Sequence, residues 1–401
     1  MTSDGLWLLA ARGLRSIGYG LFVVLLGLHL EASGYAAGTI GLVITASLAG
    51  SAGLTALFAF AGDRIGRRRS LVLSAGLMAI GGAVFVATNQ LPALLAVGLT
   101  GTLNPSAAET GPFETLETAI LPQTVPAAAR NRAFGNYHAI GALGLALGSL
   151  ATGWLSPLAD WLRLGDVGTY RLGFLLYTGV ALLSFLALTR LSPGVEASNI
   201  PARRGWSLQK SRPVVAKLAG LFALDAFAGG FVAQSIVVYW FSLRFGVGLA
   251  FLGPLFAAVS LIKAISYVLA VRLADRIGLV RTMVFTHLPS NVLLLLLPAM
   301  PTLGLAVVVL LLRHTLAQMD VPARAAYVVA VVDPTERTAA SGVTMVVRPV
   351  ATAVSPVLAG IAIQLASSGV PFLLAGGLKI LYDLALYAGF RRLPPHEEGA
   401  K

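Results

Sequence analysis

Cysteine is absent from the 401 residues, and charged residues make up only 11% of them. The first absence excludes disulfides, thiolate metal sites and a cysteine nucleophile. The second excludes a water-soluble globule, which needs about 25% charged residues to cover its surface. Other signatures are missing too. No run of alternating apolar and polar residues suggests a β-barrel. No glycine loop followed by Lys and Ser or Thr is present to cradle a nucleotide phosphate, so ATP is not expected to drive the protein directly. The five histidines are scattered, with no carboxylate pair at ligand spacing, so neither a metal site nor any other cofactor is expected. No nucleophile has an adjacent base on what would be a facing helix, so an enzyme is not expected.

What is present is apolar. Hydrophobic residues are 57% of the chain, and the mean hydropathy is +0.82. Runs such as Leu293–Leu297 and Leu305–Leu312 lie within stretches long enough to cross about 30 Å of hydrocarbon. The net charge of +12 would suit nucleic acid if it were spread over a surface. It falls instead in short polar gaps: Arg64 and Arg67 to Arg69; Arg130 and Arg132; Arg203 to Lys217; Arg272 to Arg281; Arg391 and Arg392. The alternate gaps hold only Arg163, Arg171 and Arg244. This is the positive-inside asymmetry, which predicts cytoplasmic termini, an even number of spans, a bilayer as partner and no nucleic acid. Met1 to Leu6 carries no basic flank, so the first apolar segment is expected to be a retained helix and not a signal peptide.

Spans are predicted at roughly 6–30, 39–61, 70–89, 92–120, 132–156 and 171–191, and again at roughly 214–241, 250–272, 280–299, 303–331, 338–365 and 371–390. The expected architecture is an all-α membrane protein of twelve transmembrane helices in two six-helix bundles. Residues 1–191 form the first bundle, 192–213 a cytoplasmic linker rich in Pro, Ser and basic residues, and 214–401 the second bundle. The halves are repeats. A shift of about 212 positions lays Gly18 on Gly230, Gly34 on Gly246, Gly41 on Gly253, and Asp63-Arg64-Ile65-Gly66 on Asp275-Arg276-Ile277-Gly278.

The gap between spans 2 and 3 reads AFAGDRIGRRRS. Asp63, Arg64, Gly66, Arg67 and Arg68 match the signature G-x-x-x-D-R-x-G-R-R, with Ala59 in place of its opening glycine. Together with the spans, the linker and the repeat of Asp275, Arg276 and Gly278, this makes the whole chain resemble the major facilitator superfamily. The resemblance implies two bundles around a cavity lined by helices 1, 4, 7 and 10, with alternating access about a midplane site. It also implies that the loop holding Asp63 and Arg67 latches the bundles on the cytoplasmic side. Spans 4 and 5 lack the Arg-Gln-Gly and Gly-Pro steps usual in drug antiporters of the family. The passages AAETGPFETLETAILPQ and QMDVPARAAYVVAVVDPTERTAASG resemble a bacterial branch associated with efflux. By that resemblance the expected function is proton-coupled efflux of a small organic solute across the cytoplasmic membrane, by a monomer. The alternatives are an organic-anion carrier and, outside transport, a membrane sensor. The short tail HEEGAK counts against the sensor.

Ionisable residues within spans are costly and therefore functional candidates. Glu109 and Asp225 fall near the middle of spans 4 and 7 and are the proton-coupling candidates, with Arg15 and Lys263 as expected neighbours. Arg15, Tyr19, Arg313 and His314 are cavity candidates, the arginines suiting an anion. The remaining charges are expected to pair: Arg12 with Glu114 and Glu117, Asp320 with Arg348, and Lys379 with Asp383 one turn along the same helix.

Overall fold

The computed structural model describes residues 1–107, 111–196, 209–333 and 335–390. Sixteen α-helices run through them: α1 (Ser3–Ala32), α2 (Ala37–Ile65), α3 (Arg67–Ala87), α4 (Leu91–Leu99), α5 (Pro112–Ile120), α6 (Arg130–Thr152), α7 (Leu155–Trp161), α8 (Asp166–Thr189), α9 (Arg212–Gly230), α10 (Gln234–Phe245), α11 (Leu249–Ile277), α12 (Leu279–Leu296), α13 (Leu303–Leu316), α14 (Asp320–Ala330), α15 (Arg337–Leu365) and α16 (Val370–Phe390). Eleven helical segments among the described residues are long and apolar enough to cross a membrane. Large apolar side chains such as Leu73, Ile80, Leu147, Leu183, Ile265 and Leu384 point outward. That arrangement suits lipid, where a helix satisfies all of its backbone groups internally.

The stretch expected as span 4 is not one helix. It forms two nine-residue helices, α4 and α5. Between them Gly101 takes φ +76 and Ala107 φ +50, and Asn104-Pro105 and Gly111-Pro112 deny the helix its backbone bonds. Spans 7 and 10 are interrupted as well, at Phe231–Ala233 and Ala317–Met319.

The sequence repeat is a structural repeat. α2 and α11 are both 29 residues long, and each ends in Asp-Arg-Ile before a glycine in the left-handed region, Gly66 at φ 103 and Gly278 at φ 85. An L side chain at either position would be strained, so the motif needs its glycine to turn directly into the next helix.

The chain divides into two compact units. The first comprises Met1–Pro201, Ala233–Leu261 and Pro356–Gln364. Its core gathers Leu8, Leu71, Phe113, Leu116, Ile120, Tyr137 and Leu188, and its helices approach through small residues. A Cβ at Gly148 would lie 1.9 Å from the Ile17 carbonyl oxygen, so only glycine lets α6 cross α1 there. Within the same unit α2 meets Pro356–Gln364 at Gly41, and α11 meets α6 at Gly253; a Cβ would lie 2.3 Å from the Pro356 oxygen and 2.7 Å from the Ser149 oxygen. Gly41 and Gly253 are repeat mates, so these crossings are equivalent. The second unit is Ala202–Val232, Ile262–Ser355 and Leu365–Lys401. Its core is built from Val215, Leu218, Phe222, Met283, Tyr327, Tyr382, Leu386 and Phe390.

Candidate functional site

Each unit buries a charge cluster. In the first, α1 carries Arg12 and Arg15 one turn apart, 3% and 0% exposed. Glu109, the expected neighbour of Arg15, lies outside the described residues. Arg15 Nη1 donates to Glu117 Oε1 at 2.8 Å and its Nη2 to Oε2 at 2.6 Å. This fork is the strongest geometry available to an arginine–carboxylate pair. The Tyr137 hydroxyl of α6 donates to the same Oε2 at 2.7 Å, and the Arg15 guanidinium lies 4.2 Å over the Phe113 ring. Glu117 is thus hydrogen-bonded to Arg15, while Arg12 interacts with Glu117 and Glu114 through charge. Arg12 lies over the Tyr137 ring at 4.5 Å, above Gly141, where a Cβ would come within 2.6 Å of its Nη2. Its Nε has no hydrogen-bond partner. Both arginines and Tyr19 line a narrow cavity together with Ser51, Asn104 and Glu114.

In the second unit, Asp225 on α9 is the hub. Its Oδ1 accepts from Lys379 Nζ of α16 at 2.5 Å, and its Oδ2 accepts from Arg348 Nη1 of α15 at 3.0 Å and Arg324 Nη1 of α14 at 3.4 Å. Two expected pairings are corrected. Arg348 bonds Asp225 and not Asp320, which accepts from Arg324 one turn along α14 at 2.6 Å. Lys379 reaches Asp225 and not Asp383. A fully buried carboxylate draws in the cations of several helices because an unpaired charge in low dielectric costs several kcal/mol, and i,i+4 proximity alone contributes only about 0.2–0.5 kcal/mol. Asp383, 0% exposed, is held by α12: His287 Nδ1 stands 2.8 Å from its Oδ1, and Asn291 Nδ2 donates to its Oδ2 at 2.8 Å. His287 Nε2 is 3.8 Å from Asp225 Oδ1. Arg313 and His314 bond each other at 3.4 Å on α13.

Arg324, His287 and Asn291 were not singled out in the sequence. Arg324 sits in the passage VPARAAY, which reads as the polar end of a span, and His287 is a lone histidine without a motif. Asp320 and Arg324 are four positions apart, as are His287 and Asn291. That spacing was the available signal.

The signature loop is tied down within the first unit. Arg67 Nε donates to Asp63 Oδ1 at 2.7 Å and its Nη1 to the Ala119 carbonyl at 3.3 Å; Arg68 Nη2 donates to the Thr189 carbonyl at 2.8 Å. The backbone N–H groups of Arg67 and Arg68 donate to Glu196 at 2.6 and 3.3 Å. Gly66 has no side chain to cap α3, so Glu196 supplies the anion that a helix N-terminus favours. In the second unit Glu336 serves the start of α9 in the same way, accepting from the N–H groups of Gln209, Lys210 and Ser211 at 2.6, 3.0 and 2.8 Å. Those backbone bonds, Gln209 foremost, pull the Glu336 carboxyl down to about 2. The hydroxyl and N–H of Thr335 draw nearby Asp333 down to about 2. Asp275 and Arg276, in the second copy of the motif, are exposed.

Comparison with known proteins gives a consistent outcome. The profile described as Major Facilitator Superfamily matches residues 8–313 and 244–401. A Saccharomyces cerevisiae protein described as an uncharacterized membrane protein is 28% identical, over 96% of this chain and 93% of its own length. Among solved structures, the xylose transporter XylE from E. coli matches with a TM-score of 0.73 at 16% identity, covering 98% of each chain. The nucleoside transporter NupG matches at 0.74 and 16%, covering 98% of this chain and 100% of its own. The human organic anion transporter MFSD10 matches at 0.63 and 18%, covering 96% and 99%. At such identities the solved structures establish the fold.

Proposed function

Because this chain belongs to the major facilitator superfamily, a family of multi-pass membrane transporters of small molecules and not of enzymes, we propose that it is a proton-coupled secondary transporter exporting a small organic solute by alternating access. The observation that carries the coupling is the buried set around Asp225. Three cations from three helices converge on one carboxylate, so any change in charge there redistributes partners among α9, α14, α15 and α16. A set of ion pairs with interchangeable partners is a two-state element that protonation can bias.

In this reading the chain crosses the cytoplasmic membrane twelve times, with α4 and α5 together forming the fourth crossing. The termini and the linker of residues 192–213 lie in the cytoplasm, on the side of the basic gaps. The protein works as a monomer, and Asp63 and Arg67 latch the cytoplasmic mouth. Glu109, in the span broken at Gly101–Gly111, is a second proton-coupling candidate. Arg12, Arg15 and Tyr19 present donors to a solute in the first unit, and Arg313 and His314 do so in the second. The equivalent crossings at Gly41 and Gly253 support alternating access, since both must part together if the contacts they seal are to open.

A second reading, an organic-anion carrier, is favoured by one observation: the Nε of Arg12 is buried beside the cavity without a hydrogen-bond partner. An anion would satisfy it.

The test begins with thermal stabilisation of the purified protein across nucleosides, pentoses, organic anions and hydrophobic amines. The stabilising compound is then loaded into proteoliposomes and its efflux followed with and without an imposed pH gradient. Efflux indifferent to the gradient removes proton coupling; stabilisation by anions alone selects the second reading.

A further inference from the structure

His287 lies between two carboxylates of different helices, and its geometry fixes where a proton must be. His287 Nδ1 and Asp383 Oδ1 are 2.8 Å apart. Two lone pairs facing each other at that distance repel, so one proton lies on the line between them. Asn291 Nδ2, 3.1 Å from the same Nδ1 and 2.8 Å from Asp383 Oδ2, holds the carboxylate against the ring. With Nδ1 so committed, Nε2 is the nitrogen free to take a second proton. It stands 3.8 Å from Asp225 Oδ1, the atom that already accepts from Lys379.

The charges around the ring decide the consequence. The ring meets Asp225 of α9 and Tyr382 and Asp383 of α16; Asp225 in turn joins it to Lys379 of α16, Arg348 of α15 and Arg324 of α14, which also holds Asp320. α13, which also packs on α12, carries Arg313 and His314, and α12 itself carries Arg281 at its start. Within the directly bonded set, Asp225, Asp320 and Asp383 balance Lys379, Arg324 and Arg348 when His287 is neutral, and Arg313 acts on Asp225 without bonding it. A proton on Nε2 makes the set cationic by one and places a new N–H opposite Asp225 Oδ1. The carboxylate's four acceptor sites are then all claimed, and the added positive charge repels the cation held least firmly. Arg348 is the partner best able to leave, because its side chain is 28% exposed while those of Lys379 and Arg324 are 9% and 12% exposed.

We infer that His287, oriented by Asp383 and Asn291, is the proton acceptor of this transporter, and that its protonation at Nε2 displaces Arg348 from Asp225. The step balances: one proton is taken from solution, one N–H bond forms, and one ion pair is exchanged for another. This inference rests on the proton-coupled reading above and names the group that would do the coupling.

The first measurement needs no substrate, and the flux measurement that follows uses the stabilising compound found above. Ring-labelled histidine is incorporated and the imidazole resonances of the purified full chain are followed by NMR from about pH 5 to 9, the range in which histidine titrates. His287→Gln assigns its resonance; should that variant not fold, replacing His29, His138, His314 and His396 in turn assigns it by elimination. The expected result is a His287 resonance that changes across this range, with a pH response altered in Asp383→Asn, because the two groups share one proton. A resonance that does not change, or whose pH response ignores Asp383→Asn, overturns the inference. Proteoliposomes loaded with pyranine separate this outcome from failure of the wider reading. If the wild type carries no solute-dependent proton flux, the coupling reading fails whatever His287 does. If folded His287→Gln keeps the wild-type flux, His287 is not the acceptor and the wider reading stands.

Discussion

Lys379 Nζ bonds Asp225 Oδ1 across two helices at 2.5 Å, although Asp383 stands one turn away on its own helix. The pair is therefore a tertiary tie between α9 and α16. Asp225→Asn should leave Lys379 without its counter-ion in a low-dielectric interior, at a cost of about 3–5 kcal/mol. Asp225→Asn combined with Lys379→Met should be more stable than Asp225→Asn alone. Thermal unfolding of the detergent-purified variants measures both; a double mutant no better than the single would show that the two residues do not compensate.

The Arg15–Glu117 fork makes a parallel prediction in the first unit. Glu117→Gln should destabilise by about 3–5 kcal/mol, because it strands a guanidinium with no exposure. Tyr137→Phe removes one hydrogen bond to a charged group and should cost about 1.5–3 kcal/mol. Comparing folded yield and unfolding temperature checks the order, and a larger loss in Tyr137→Phe would contradict it.

Gly148→Ala should abolish folded protein, since its Cβ would meet the Ile17 carbonyl oxygen of α1, a backbone atom that cannot rotate away. Gly53→Ala, at a position with open space around its Cβ site, should be tolerated. Size-exclusion profiles of fluorescent fusions would reveal equal behaviour if the packing argument were mistaken.

Acid should weaken the cap that Glu336 provides. Its carboxyl sits near 2 when folded, against an ordinary value of 4.5. The stabilisation is present above about 4.5 and fades as pH falls toward 2. Glu336→Gln should lower stability at neutral pH and flatten the decline between these values. Unfolding temperatures measured from pH 7 downward test this, and parallel curves for wild type and variant would refute it.

The latch proposed for Asp63 and Arg67 can be probed cleanly because the chain has no cysteine of its own. Asp63→Asn should shift crosslinking between cysteine pairs introduced across the cytoplasmic mouth, with folded yield unchanged. Identical crosslinking in wild type and variant would remove the latch from the mechanism.

The fold class was legible because it depends on quantities a sequence carries directly. Apolar length matches bilayer thickness, basic residues avoid one side, and the doubled Asp-Arg-Ile-Gly marks a duplication. The break in span 4 was less legible. Gly101, Pro105, Gly111 and Pro112 were all in view, but apolar content continues through them, and hydropathy does not register a lost backbone bond. The charges show the division most sharply. Composition determined that Asp225, Glu117, Lys379 and Arg15 must be compensated, since no span tolerates a bare charge. Which partner each takes was decided by helix packing alone: Lys379 turns to Asp225, Arg15 to Glu117, and Asp383 is left to His287. Buried electrostatic energy depends on distances of a few ångströms between residues dozens of positions apart, and only the folded backbone sets those distances.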